Sequence, residues 1–214
     1  MSLRPLSGYE EEYVEECKYA ANTAKLCNGV LARCLVAPGA DSAEALARVH
    51  DLPVAERDRA LIELRRLSFG DDVRTLAECP HCDVQQEVAF TLAALPLDFD
   101  TPPTRIERML STGVSVVLRL PTARCQEELL DEPDATAAQR RTALLTKVIE
   151  QLGGQMGPFD GEHIRGLESK VRMEIEKCIE ETLPELNLTM EVTCVQCARP
   201  FAAPFDVTSF FLPS

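Results

Sequence analysis

Apolar residues recur at helical spacing from Tyr9 to about Leu35, through Tyr13, Val14, Cys17, Ala20, Ala21, Ala24 and Leu31. The Ser7-Gly8-Tyr9-Glu10 stretch ahead of them is a capping-box pattern, and Pro38-Gly39 predicts the stop. A second helix is expected from about Pro53, a good first-turn residue, through Ala60, Leu61, Leu64 and Leu67 to a break at Gly70. The period then changes from helical to alternating. Val73 to Glu78 predicts a strand, Cys79-Pro80-His81-Cys82 a turn, and the alternation of Val84, Gln86, Val88, Phe90 and Leu92 a return strand. These elements make a hairpin with two thiols at its tip.

Residues 99–113, which contain Thr101-Pro102-Pro103, read as a linker, after which the same succession starts again. A strand is expected from Val114 to Leu120 and helices near Arg124 to Leu130, Ala137 to Leu152 and His163 to Leu183. A strand from Leu186 to Thr193 then leads into Cys194-Val195-Gln196-Cys197, and Phe201, Phe205 and Val207 carry the return. The 115 positions between Cys79 and Cys194 also separate Cys82 from Cys197, Phe90 from Phe205, Leu3 from Leu118, Arg4 from Arg119 and Glu12 from Glu127. Shared element order with a fixed offset predicts an internal duplication. The expected fold class is α+β: repeat one over residues 1–98, the linker, and repeat two over residues 114–214, with helix faces packed in a common core and the hairpins meeting at a zinc-ribbon-like site.

Two Cys-x-x-Cys turns offer four thiolates, the number that a closed tetrahedral zinc site takes. A separate metal in each half would need further ligands related by the same offset, and none exists. Cys17, Cys27 and Cys34 map onto Glu132, Thr142 and Ile149, and Cys125 and Cys178 map back onto Glu10 and Glu63. One structural zinc shared by Cys79, Cys82, Cys194 and Cys197 is therefore expected, with His81 facing solvent and the other five cysteines filling the core. Glycine often follows such a knuckle, but Asp83 and Ala198 stand there. The Cys79-Pro80-His81-Cys82 stretch also resembles the motif of oxidising thioredoxin-fold proteins, where it opens a helix; here a strand-like run follows, which makes thiol-disulfide exchange the minor alternative.

Composition narrows the partners. The formal charge of -13 over 214 residues repels nucleic acid and anionic membrane surfaces, so neither is an expected partner. The opening residues lack the apolar core of a signal peptide and no stretch is long enough to span a bilayer, which predicts a cytoplasmic protein with reduced thiols. There is no glycine-rich phosphate loop, no Gly-x-Ser-x-Gly and no His-Glu-x-x-His, so the expectation is a non-enzyme. Glu10, Glu11, Glu12, Glu15 and Glu16 read as a solvated helix start or an acidic docking face, and Phe210, Phe211 and Leu212 form a candidate apolar patch if exposed.

Three segments carry a family resemblance: Leu3-Arg4-Pro5-Leu6-Ser7-Gly8 followed by acids; the run from Ala60 to Asp71, Ala-Leu-Ile-Glu-Leu-Arg-Arg-Leu-Ser-Phe-Gly-Asp; and the Cys79–Cys82 hairpin. In that order they resemble the baseplate hub assembly chaperones, or baseplate-associated proteins, of contractile-tailed phages and phage-tail-like contractile injection systems. The resemblance implies a non-enzymatic role in baseplate assembly, with baseplate or tail-hub proteins as partners. A permanent structural baseplate subunit and a zinc-ribbon protein-binding adaptor are the alternatives.

Overall fold

In the computed structural model, residues 2–17, 22–35, 41–95, 103–183 and 189–204 are described. Pro38-Gly39 and the Phe210, Phe211 and Leu212 patch lie outside them. The helical periodicity near the start of the chain resolves into two helices rather than one, α1 (Gly8–Cys17) and α2 (Thr23–Cys34). Asn22 is the reason α2 begins afresh: its side-chain oxygen accepts from Lys25 N–H at 3.0 Å, while its amide donates to Glu127 O and Asp131 Oδ1 far along the chain. α3 (Ser42–His50) was not anticipated, although its sign is in the sequence, since Asp41 accepts from the Glu44 N–H as an N-cap. α4 (Val54–Phe69) follows Pro53 and ends at Gly70, whose φ of 82° suits glycine. The hairpin β1 (Asp72–Glu78) and β2 (Gln85–Thr91) pairs antiparallel from Asp72↔Thr91 to Glu78↔Gln85. Leu31, Leu61, Ile62 and Leu64 are fully buried in this half, each stabilising by about 1.5–3 kcal/mol relative to exposure.

The second half contains β3 (Arg105–Met109), β4 (Ser115–Arg119), α5 (Ala123–Leu130), α6 (Ala137–Val148), β5 (Ile149–Leu152), β6 (Gln155–Met156), α7 (Gly161–Gly166), α8 (Ser169–Glu180), β7 (Thr189–Thr193) and β8 (Pro200–Pro204). Strands β3-β4-β5-β6 form one antiparallel sheet, and β7-β8 form the second hairpin. Three expectations are corrected here. The stretch read as linker carries β3, because Ile106 is drawn into the core on the edge that β4 offers and too few apolar neighbours mark the alternation. The helix expected up to Leu152 stops at Val148, since Ile149 and Leu152 fit a buried strand as well as a helix face and Gly153-Gly154 then turn the chain into β6. The long helix from His163 divides into α7 and α8, the latter beginning after Glu168.

Moved along by 115 residues, α1, α2, α4, β1 and β2 fall on α5, α6, α8, β7 and β8. The isolated bridge Leu3↔Leu35 falls where β4 meets β5. The two hairpin turns share their closing backbone bonds. Cys79 N–H donates to Val84 O at 2.9 Å and Cys194 N–H to Arg199 O at 3.0 Å, while Asp83 and Ala198 donate back to Cys79 O and Cys194 O. Asp83 and Ala198 both adopt left-handed backbone, with φ of 56° and 57°.

The common core gives way to two buried clusters, one over α1–α4 and β1, the other over β3–β5 and α6–α8. The seam between them is polar, which is why the apolar clusters do not merge. α5 packs against the first half through Glu127, whose Oε2 accepts from Asn28 Nδ2 and lies 2.9 Å from His50 Nε2. Arg57, only 3% exposed, donates to Asn28 Oδ1, Gln126 Oε1 and Asp58 Oδ1. Satisfied in this way, the buried polar groups fix how the halves meet.

Glu10 departs from its expected solvated role: it is 2% exposed, while Glu11, Glu12, Glu15 and Glu16 face outward. Arg4 grips its carboxylate with two bonds of 3.0 and 2.9 Å, and Ser7 adds its backbone N–H and hydroxyl. The Arg4 hydrogen bonds hold the Glu10 carboxyl down to about 2 against the opposing effect of burial. A depressed carboxyl stabilises the fold fully above its unfolded value of 4.5 and loses that contribution as pH falls through about 2. Because Arg4 is 42% exposed, the contribution is discounted to about 1–2 kcal/mol. We expect Glu10→Gln to lower the unfolding free energy by that amount at neutral pH, and the difference from wild type to vanish in urea unfolding as pH drops from 4.5 towards 2. Left-handed backbone at a residue with a Cβ is strained, and alanine has no polar group to offset it, so Ala198→Gly should stabilise by about 0.5 kcal/mol and Asp83→Gly by less. Chemical denaturation of the two variants checks this.

Candidate metal centre

The turns of the two hairpins face each other and bring together all four cysteines singled out in the sequence. Cys79, Cys82, Cys194 and Cys197 have sulfurs within 4.8 Å of one another. Cys79 Sγ lies 3.8 Å from Cys197 Sγ, and Cys82 Sγ lies 3.5 Å from Cys194 Sγ. A tetrahedron of thiolates about 2.3 Å from a central zinc has edges of about 3.8 Å, so the group has the dimensions of a four-sulfur site. Cys79 and Cys194 are buried, and Ala77, Val84, Val192, Phe201 and Ala203 pack around the cluster. Four cysteines close to one another could hold a metal ion, and a set of four leaves no open coordination position for substrate.

Local backbone prepares the sulfurs unequally. The Cys197 N–H, 3.5 Å from Cys194 Sγ, draws the Cys194 thiol down to about 6, with help from the Gln196 N–H and against burial. At Cys82 a backbone bond at Val84 favours the thiolate, but burial and the three neighbouring sulfurs outweigh it and push the thiol up to about 12. One thiolate therefore opposes ionisation of the next. Were all four ionised, a cation between them would offset their repulsion.

Gln86 holds the hairpins in register. It is 8% exposed, donates from Nε2 to Thr193 O at 3.1 Å, and accepts the Val195 N–H at 2.8 Å. Sequence reasoning gave it no role, yet the signal was present: a polar residue on the inward phase of β2, between Val84 and Val88. His81 is exposed and outside the cluster. Cys27, Cys34 and Cys125 are buried and Cys17 and Cys178 half-buried. Burial pushes the Cys34 thiol up to about 11, consistent with a packing role. The Cys79-Pro80-His81-Cys82 stretch sits in a hairpin turn followed by β2, so it lacks the helix N-terminus that activates a redox thiol.

Among the described residues no helix is long and apolar enough to cross a membrane. No curated protein and no solved structure matches the chain significantly. The T4 bacteriophage base plate protein family matches residues 1–212, from before the Leu3-Arg4 start to beyond the second Cys-x-x-Cys hairpin. With a match over nearly its whole length, the chain belongs to the T4 bacteriophage base plate protein family.

Proposed function

We propose that this protein is a non-enzymatic assembly chaperone or baseplate-associated component of a contractile tail, built from two copies of one unit and clamped by a single structural zinc. Membership of the base plate family supports the tail assignment and carries the reading. The cysteine cluster supports the clamp, because each hairpin contributes two sulfurs of four. The duplication is supported by the 115-residue offset that relates five pairs of elements and both left-handed turn residues.

Zinc is the metal best matched by four thiolates in a closed tetrahedral set, and it would bring no redox chemistry. Its role would be to bind the halves where the polar seam leaves them without a shared apolar core. The exposed acids of α1 suit a basic face on a baseplate or tail-hub partner, masked until assembly. An alternative within the same reading is a permanent structural subunit. Protein mass spectrometry of purified tail particles separates the two: absence from finished particles supports a chaperone, whereas stoichiometric presence sinks that role and establishes a subunit.

The clamp has its own measurement. Protein purified without added metal should contain one zinc per chain by elemental analysis, and Cys79→Ser and Cys194→Ser should each lose it together with about 3 kcal/mol or more of stability. Near-zero zinc in the wild-type protein would overturn the clamp.

A further inference from the structure

The two halves carry cavities whose linings share six positions at the 115-residue offset. The first, of about 650 Å³, is bordered by Arg4, Ala32, Leu35, Asp41, Ser42 and Ala43. Moved along by 115 residues, these six become Arg119, Lys147, Glu150, Met156, Gly157 and Pro158, all of which border the second cavity, of about 480 Å³. In the first, α1 supplies the remaining wall with Tyr9, Glu10 and Tyr13. In the second, no residue of α5 borders the space, because α5 is committed to the seam through Gln126 and Glu127.

The arginines of the two cavities each bond a carbonyl in the last turn of a helix, α2 or α6, through different nitrogens, and are finished differently. Arg4 donates to Arg33 O, and its terminal nitrogens take the Glu10 carboxylate. Arg119 donates from Nε to Lys147 O at 2.6 Å, but its two terminal nitrogens have no partner among the described residues. The position of Glu10 is occupied by Cys125, a buried thiol bonded to Thr122. The other two cations of this cavity are already paired, Arg105 with Glu107 and Glu150, and Lys147 with Glu128.

We propose that the second cavity binds an acidic segment of a partner protein, whose glutamate or aspartate carboxylate takes on Arg119 the place that Glu10 takes on Arg4. This rests on the duplication proposed above. A guanidinium fork with both terminal nitrogens free matches a planar carboxylate bidentately. Glu150, which also borders the cavity and is paired with Arg105, opposes a multiply charged anion more strongly than a single carboxylate. Pro158 and Met156, both exposed, the latter by 65%, offer apolar ground for a large neighbouring side chain, as α1 places Tyr9 and Tyr13 beside Glu10.

A peptide of residues 7–17, with Cys17→Ser, supplies the probe, since it carries Glu10 between those two tyrosines. Titrated into the ¹⁵N-labelled full chain, it should shift the Arg119 Nε–H resonance saturably. The Glu10→Gln peptide should bind about tenfold more weakly, and Arg119→Gln or Arg119→Lys in the protein should cause a similar loss while leaving the thermal midpoint within about 2 °C of wild type. Equal affinity for the two peptides, or wild-type affinity in Arg119→Lys, would overturn the proposal. An experimental structure separates this from the reading beneath it. Cavities that superpose without peptide binding remove the docking site alone, whereas cavities that fail to superpose remove the duplication and the docking site together.

Discussion

Four sulfurs held within 4.8 Å of each other are the constraint on which this architecture turns. Ionised, they repel; protonated, they form only weak hydrogen bonds; either way their convergence has to be arranged by other parts of the chain. Two hairpins arrange it, each with a left-handed residue that folds the chain back so that backbone N–H groups point toward sulfur. Gln86 then fixes one hairpin against the other, making two bonds to backbone across the junction. None of these contacts depends on a large apolar surface. They join the two hairpins around a small cluster separate from the two main cores.

The polar seam around Glu127 does the corresponding task at α5. Asn28, His50 and Arg57 are too costly to bury singly, and their mutual satisfaction ties α2, α3 and α4 to a helix from the other half. Such networks are directional, so they set orientation more sharply than an apolar contact of the same area would. The two halves thereby keep separate cores and still meet in one defined way. α1 and α5 use their polar residues differently: α1 keeps Glu10 buried beside Arg4, whereas α5 turns Gln126 and Glu127 to the seam and has Cys125 115 positions on from Glu10.

Much of this was legible in the sequence where a signal was local. The hairpins showed through alternation on both sides of Cys-x-x-Cys, α4 through Pro53 and Gly70, and the joining of four cysteines through their spacing. The signals that failed were those decided by tertiary partners. β3 has Ile106 as its single deeply buried side chain, and it is a strand because β4 presents an edge to it. Ile149 and Leu152 satisfy a helical period until the sheet claims them, and the cap that starts α2 at Asn22 is held by acceptors more than a hundred residues away. Glu10 reads both as the last residue of a capping box and as one acid in an acidic helix start; the Ser7 N–H does bond its carboxylate, but its burial depends on Arg4, which a reading of α1 alone does not include.

The distance along the chain between the two hairpins has a consequence for synthesis. Cys79 and Cys82 leave the ribosome more than a hundred residues before Cys194 and Cys197, so the first half can pack its own core while presenting only two sulfurs. Closing so long a loop costs little more than closing a short one, and the second hairpin engages only after the whole intervening stretch has been made. A truncated polypeptide is left with a half-formed, two-sulfur site and an unsatisfied Gln86. The four sulfurs thus come together only in a chain that carries both halves, and a product interrupted between them cannot assemble the cluster.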